Sequence, residues 1–269
     1  MSYRYFSFFI SFFILSPVLS FYSSVTEANI GVSPAYVYVD MKMRNPSGSF
    51  TVTNLTDTSQ TYRARAMHFT IKENGSLLPV KPDKYSLINR IKFNPKEFTL
   101  PPKSTRKVRF SILTRGKLEP HEYWGAIEFS PLEGKQYTGE GEDVKQFGFK
   151  VVTKLVIPIY GIAPKTSFNG QILKVGGRNI EERIHLKAMI QNDGEGGLRV
   201  GGEWQIFEKD TAKQVKTFPI DKFLILPKHR RLLNFHTDEK LPKGKYIAIL
   251  KLKQDKPEVL MSGQGEFSF

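Results

Sequence analysis

The sequence contains no cysteine, only two tryptophans and a single long apolar run. The absence of cysteine excludes disulfide bonds, thiolate nucleophiles, cysteine-ligated zinc and iron–sulfur clusters. The 269 residues include 21 Phe, 11 Tyr, 21 Gly and 16 Pro, a composition that favours strands and turns over helices. Aromatic residues make up 13% of the chain, which indicates a folded protein because disordered chains have little to bury.

Acidic residues are the minority charge, with 26 Asp and Glu against 40 Lys and Arg and a net charge of +14. Residues 29–163 carry 20 basic and 12 acidic side chains, and residues 164–269 carry 19 and 13. The excess is therefore spread along the chain. This distribution favours a solvated basic surface over a nucleic-acid site, so we expect no nucleic-acid partner.

The one long apolar run lies in an N-terminal segment, residues 1–28. Arg4 precedes an apolar stretch from Phe6 to Leu19, and small and polar residues lead to Ala28. This order is typical of a secretory signal peptide, and the run is shorter than the about 20 residues of a membrane span. We expect cleavage after Ala28, a periplasmic protein and no stable membrane insertion. An uncleaved anchor is the alternative.

The rest of the chain predicts strands throughout. Apolar and polar residues alternate with a period of two, as in Val108, Phe110 and Ile112, and no stretch shows a long helical stripe. The segment from Ala163 to Ser167 contains Pro164 and marks a break in the pattern. We therefore predict an all-β protein with two consecutive immunoglobulin-like β-sandwich domains, residues 29–163 and residues 164–269.

The sequence shows no catalytic motif, metal motif or cofactor motif. The five His residues have no metal-ligand spacing. His121 and Glu122 could form an acid–base pair, but their place at the start of a strand favours a structural role. The segment Gln191–Gly197 has oxygen ligands for calcium, yet a tight hairpin turn explains it better. We expect no enzyme, no cofactor and no metal.

Four stretches in residues 30–164 resemble one protein family. They are Gly48–Asn54, Phe98–Phe110, Leu118–Phe129 and Thr153–Tyr160, and the Leu-Pro-Pro segment from Leu100 to Pro102 with Val108-Arg109-Phe110 is the most specific part. In their order they are similar to the N-terminal domain of periplasmic pilus-assembly chaperones of the chaperone–usher pathway, the PapD-like family. The chain is identified as a divergent member, and the resemblance covers about half of it.

The resemblance implies a function. Chaperones of this family bind pilus or fimbrial subunits that lack a strand, and they complete the subunit fold by donating an edge strand. The corresponding strand runs from Phe147 to Ile159, preceded by a polar loop from Glu133 to Asp143. The implied subunit-binding residues are Phe147, Phe149 and Val151. An ordinary core strand is the alternative interpretation.

The resemblance also implies an anchor for the carboxylate at the subunit's C-terminus. The family uses an Arg on the first strand and a Lys on the last strand. These positions fall at Tyr36 and Val156, and Lys154 lies two residues from Val156. Lys154 and Tyr36 are therefore the candidate anchors. The resemblance leaves open an outer-membrane usher as a further partner. An exported structural or adhesive protein with the same sandwiches is the alternative function.

Overall fold

The computed structural model describes residues 29–132, 135–141 and 144–269, with side chains described for residues 29–132 and 152–269. The described residues form nineteen β-strands and no α-helix. They therefore include no helix that could cross a bilayer. The predicted signal peptide, residues 1–28, lies outside the described residues.

The first sandwich consists of two sheets and a short hairpin. The first sheet has the order β1-β3-β8-β6, and the second has the order β2-β12-β9-β4-β5 with β7 also paired to β4. Strands β10 and β11 form a separate two-stranded sheet. The bounds are β1 Ile30–Ser33, β2 Val37–Asp40, β3 Ser47–Asn54, β4 Gln60–Ile71, β5 Leu77–Val80, β6 Ile91–Asn94, β7 Glu97–Leu100, β8 Thr105–Ile112, β9 Glu122–Pro131, β10 Lys135–Gly141, β11 Val144–Val151 and β12 Leu155–Ile162.

Period-two alternation puts the core of the first sandwich between its sheets. Val108 and Ile112 on β8 are fully buried, while Lys107 and Arg109, on either side of Val108, are exposed. The facing sheet contributes Ile127 and other buried side chains. At the centre, the Phe50 and Phe110 rings stack with their centroids 5.0 Å apart.

The second sandwich also has two sheets, with the orders β13-β14-β17 and β16-β15-β18-β19. Ile184, Leu186 and Ile190 on β14 point inward and are fully buried, and Trp204 and Leu250 fill the opposite side of the core. The bounds are β13 Gly170–Ile180, β14 Arg183–Asn192, β15 Leu198–Glu208, β16 Gln214–Ile225, β17 Arg230–Thr237, β18 Lys245–Gln254 and β19 Val259–Ser268.

The predicted fold class is confirmed, because the described residues form two consecutive immunoglobulin-like β-sandwiches. No strand of the first sandwich pairs with a strand of the second among the described residues. The first ends at Ile162 and the second begins at Gly170. The domain bounds 29–163 and 164–269 stay a prediction.

Two sequence-based expectations near β11 are wrong. The segment predicted as a polar loop, Glu133 to Asp143, contains strand β10, because backbone pairing with β11 overrides the low strand propensity of its Gly and Glu residues. The strand predicted from Phe147 to Ile159 is interrupted at residues 152–154. The pairing of β12 with β9 ends at Leu155 and Phe129, and two further steps in the same register would place Thr153 opposite Pro131, which has no N–H for the ladder.

The hairpin predicted at Gln191–Gly197 is also wrong, because β14 and β15 lie in different sheets. Asn192 holds this crossover from within: its side-chain amide donates to the carbonyls of Gly196 and Ile225, both at 2.9 Å. Its Oδ1 accepts a hydrogen bond from the Gly194 N–H at 2.9 Å. Among the residues that the structure describes, no group of three or more acidic, His or Cys side chains could hold a metal.

Candidate functional site

The β10–β11 hairpin continues the β9–β12 pair of the first sandwich. Strands β9 and β12 pair up to Phe129 and Leu155, and after the interruption Lys135 pairs with Val151. Pairing then runs to Gly141 and Val144, with a shift in register beyond Gly139. The two strands thus form a ribbon of their own next to the body of the sandwich.

Strand β11 has one unpaired edge. Within the described residues it pairs with β10 alone, whereas β12 pairs with β9 on one side and β2 on the other. The edge of a strand presents N–H and C=O groups that another strand can pair with. The free edge of β11 is therefore the strongest candidate for binding an extended chain.

Phe147, Phe149 and Val151, the residues predicted to bind a subunit, all lie on β11. In the backbone register they lie opposite Gly139, Tyr137 and Lys135 of β10. Their side chains lie outside the described residues. Their role in binding stays a prediction.

Tyr36 lies directly before β2 and begins a row of aromatic rings. Its ring is 55% exposed and lies 5.2 Å from the ring of Tyr38, which stacks on Tyr160 at 5.6 Å. The guanidinium of Arg199, from the second sandwich, lies 4.6 Å from the Tyr38 ring centroid and 4.7 Å from that of Tyr160. The row therefore runs from solvent to a cation at the junction of the two sandwiches.

The structure does not bring Lys154, the other predicted anchor, next to Tyr36. Val37 pairs with Ile159, so Tyr36 lies level with Pro158. Lys154 precedes Pro158 by four residues, which corresponds to about 13 Å of extended strand. The Lys154 Nζ lies 3.5 Å from Glu128 Oε1. Val156, at the family's lysine position, packs against a hydrophobic cluster instead.

Glu122 joins the two sandwiches. Its side chain is fully buried and accepts hydrogen bonds from Arg199 Nη1 at 3.0 Å, Arg199 Nη2 at 2.5 Å and the Gly197 N–H at 2.8 Å. Burial alone would lower the pKa of Arg199, but the hydrogen bonds and charge of Glu122 raise it above its ordinary value. The Arg199 guanidinium therefore stays protonated, and it forms a bidentate pair with Glu122.

His121 lies at the same junction. Its ring stacks on Tyr85 with centroids 3.4 Å apart, and its Nε2 lies 3.2 Å from Glu195 Oε2. Burial lowers the pKa of His121, partly offset by a backbone hydrogen bond to the Glu122 carbonyl and by the charge of Glu195. His121 and Glu122 each contact the second sandwich, so the geometry supports a structural role rather than an acid–base pair.

A small hydrophobic cluster completes this junction. Phe69, Trp124 and Tyr160 of the first sandwich pack with Leu226 of the second, which is fully buried. Two polar contacts lie nearby: Thr70 Oγ1 lies 2.9 Å from His229 Nε2, and the Leu232 N–H donates to the Glu73 carbonyl at 2.8 Å. The two sandwiches are therefore joined by apolar, ionic and backbone contacts together.

Arg199 and Glu195 are not predicted from the sequence as partners of Glu122 and His121. Arg199 follows Glu122 by 77 residues in the sequence. No local pattern marks Arg199 or Glu195 as a residue that contacts the first sandwich. One signal could have indicated such partners: two adjacent ionisable residues, His121 and Glu122, occur where a strand begins. Such a pair is costly to bury without partners elsewhere in the chain.

No family model and no curated protein sequence matches the chain. Among solved structures, it is similar to the class 5 fimbriae chaperone CfaA, with 13% identity over 89% of this chain and 99% of that one and a TM-score of 0.48. It is similar to a chain of the chaperone–tip adhesin complex of CFA/I fimbriae (12% identity, 87% and 97% covered, TM-score 0.46). It is also similar to a chain of the CsuC–CsuE chaperone–tip subunit complex of Acinetobacter baumannii (10% identity, 89% and 98% covered, TM-score 0.44). The chain is thus similar to fimbrial chaperones, the family that its residues 30–164 resemble.

Proposed function

We propose that this protein is a periplasmic chaperone that binds and stabilises pilus or fimbrial subunits by donating strand β11. The observation that carries the proposal is the free edge of β11, which pairs only with β10 among the described residues. A subunit strand or groove that pairs with this edge would satisfy its backbone hydrogen bonds.

Strand donation also needs apolar side chains for the subunit's groove. Phe147, Phe149 and Val151 lie at alternate positions of β11, and alternate residues of a strand share one face. Full burial of three such side chains contributes about 5 to 9 kcal/mol before the entropy cost of association. Because association costs about 4 to 15 kcal/mol, the backbone hydrogen bonds along β11 and the rest of the interface must supply the remainder.

We further propose that Lys154 and Tyr36 take part in binding the carboxylate at the subunit's C-terminus. Lys154 is half-exposed, and its one ion pair in the described part of the chain, with Glu128, is 3.5 Å long. An incoming carboxylate could therefore replace Glu128 as its partner at little cost. The exposed hydroxyl of Tyr36 could donate a hydrogen bond to the same or a neighbouring acceptor.

The proposal includes export through residues 1–28, domains of 29–163 and 164–269, and a role without catalysis. An outer-membrane usher is a further proposed partner. The exported structural or adhesive protein remains the competing function, and it requires binding that does not depend on β11.

The test is a pull-down from periplasmic extract with the tagged protein, its Phe149→Lys variant and a matched control, Leu260→Lys. Leu260 lies on the edge strand β19 of the second sandwich and is 67% exposed. The control therefore also replaces a large apolar residue of an edge strand with Lys, but in the other sandwich. We expect wild type and L260K to capture small β-rich subunits in one-to-one complexes, and F149K to lose them while keeping its thermal unfolding midpoint.

Two results would contradict strand donation. One is equal capture by wild type and a folded F149K variant. The other is recovery of no periplasmic subunit while the protein itself is found at the cell surface, which would favour the structural or adhesive function. Hydrogen exchange adds a direct readout, because subunit binding should protect amides in residues 144–151.

A further inference from the structure

The outward face of the β13-β14-β17 sheet is rich in basic residues. Because Ile184, Leu186, Ala188 and Ile190 of β14 point into the core, the intervening residues of β14 and their cross-strand partners point outward. The resulting rows are Arg178–His185–His236, Gly176–Lys187–Asn234, Lys174–Met189–Leu232 and Gln171–Gln191–Arg230. We call Lys174, Arg178, Lys187 and Arg230 the cationic face.

None of the twelve positions is Asp or Glu, and all four residues of the cationic face are exposed. Within the described residues, none of the four makes a salt bridge. Other lysines of the second sandwich do: Lys209 pairs with Glu266 and Lys216 with Glu239. The four cations thus make no ion pair in the described part of the chain, and the one carboxylate hydrogen-bonded to these rows is that of Asp193, which accepts from Gln171 and Gln191 at the end of the face.

A shallow groove lies within the cationic face. It has a volume of about 390 Å³, and its lining includes Lys174 and Lys187 together with the apolar side chains of Met189 and Leu232. Gly176 lies in the row of Lys187, directly next to the row of Lys174, and a Cβ built on it would meet no atom within 4 Å. The groove can thus admit a polar group with an apolar stem between several cations.

We propose that the cationic face binds the surface of a membrane that contains anionic phospholipids, with one headgroup phosphate in the groove over Gly176. Lys and Arg side chains are hydrogen-bond donors only, and ionised phosphates offer acceptors only, so the two surfaces are complementary in charge and in hydrogen bonding. A protein surface presents donors and acceptors together, whereas the charged groups of this face are all donors, and its mixed donor–acceptor side chains are the amides and the two imidazoles of His185 and His236.

The dimensions of the face fit a planar partner. Four rows of a three-stranded sheet extend roughly 20 Å along the strands and about 10 Å across them. Basic residues near an anionic leaflet each strengthen binding roughly fivefold, and the attraction is limited to about a Debye length. Four such residues give weak, reversible attachment without insertion. This attachment would involve the face of the second sandwich and leaves β11 of the first sandwich unoccupied.

The test is flotation of the full mature protein with vesicles of phosphatidylcholine alone and with vesicles that also contain phosphatidylglycerol. The variant Lys174→Glu/Lys187→Glu reverses two charges of the cationic face. The matched control Lys107→Glu/Arg109→Glu reverses two exposed charges on β8 of the first sandwich, so both variants have the same net charge. A second variant, Lys174→Gln/Lys187→Gln, makes the milder change, and circular dichroism checks each fold.

We expect binding to the phosphatidylglycerol vesicles only, a loss of at least about 25-fold in both face variants, and unchanged binding in the control. Equal losses in the face and control variants would overturn the proposal in favour of net charge alone. No binding by wild type would overturn it as well. Displacement by inorganic phosphate at constant ionic strength would point to a site for single anions. Binding to polyglutamate but not to vesicles would point to an acidic protein.

Discussion

Removing the Glu122 carboxylate would leave the Arg199 guanidinium at the junction of the two sandwiches without its acidic partner. We expect Glu122→Ala to lower the free energy of unfolding by about 3 kcal/mol, at the low end of the cost of breaking a buried ion pair. The low end applies because Arg199 keeps hydrogen bonds to the Tyr38 hydroxyl and the Gly197 carbonyl, and its side chain is 21% exposed.

Arg199→Ala should cost a similar amount, since it leaves the fully buried carboxylate of Glu122 with the Gly197 N–H as its one remaining donor among the described residues. The double variant should lose less than the sum of the single variants, because neither charge is then left without a partner. We expect a coupling energy of about 2 kcal/mol or more, which falls within the range seen for residues in direct contact.

The assay is urea unfolding followed by tryptophan fluorescence, with Trp124 reporting the first sandwich and Trp204 the second. The pair Arg63–Glu97 is the control, because it is the same residue pair at 3.0 Å but 38% and 50% exposed. Its coupling energy should lie between about 0.2 and 1 kcal/mol. A Glu122–Arg199 coupling no larger than that of the control pair would refute the reasoning.

Gly202→Ala should lower the thermal unfolding midpoint strongly, since the new Cβ would lie 2.0 Å from the Lys251 carbonyl oxygen. In Gly176→Ala the new Cβ would meet no atom within 4 Å, so the midpoint should be nearly unchanged. Ile159→Ala removes a fully buried side chain and should cost about 2 to 5 kcal/mol in denaturant unfolding. Burial lowers the pKa of His121 in the folded state, so its contribution to stability is present above about pH 6.5 and decreases as the pH falls through the range between the unfolded and folded pKa values. The stability of wild type relative to His121→Gln should therefore rise as the pH rises through that range and stay constant outside it, and a difference that does not change with pH would contradict this assignment.

The strands that the sequence predicts well are those with one buried and one exposed face. Val108, Phe110 and Ile112 alternate with exposed residues on β8, and the same rule identifies Ile184 to Ile190 on β14. Short edge strands escape the rule. Strand β5, Leu77–Val80, has only four residues, and one of them is a proline. Its position is set by pairing with β4 rather than by its own pattern.

The sequence predicts the candidate sites to different extents. A local pattern and a resemblance predict a donor strand from Phe147 to Ile159, whereas the structure divides this segment between β11 and β12. Strand β10 could not be predicted, because its Gly and Glu residues form a strand only through pairing with β11. The Glu122–Arg199 pair depends on how two sandwiches meet, and no local periodicity encodes a contact between residues 77 positions apart. The cationic face likewise emerges only when three strands are placed in register.

The contacts between the two sandwiches also determine the role of the connecting peptide, residues 163–169. Lys165 lies in that segment with a positive φ of 63° and is exposed, whereas the ion pair, the Leu226 cluster and the backbone bonds lie outside the segment. The covalent connection then acts mainly by raising the effective concentration of one half for the other. Proteolytic nicking after Lys165 should accordingly yield two fragments that still migrate together under native conditions.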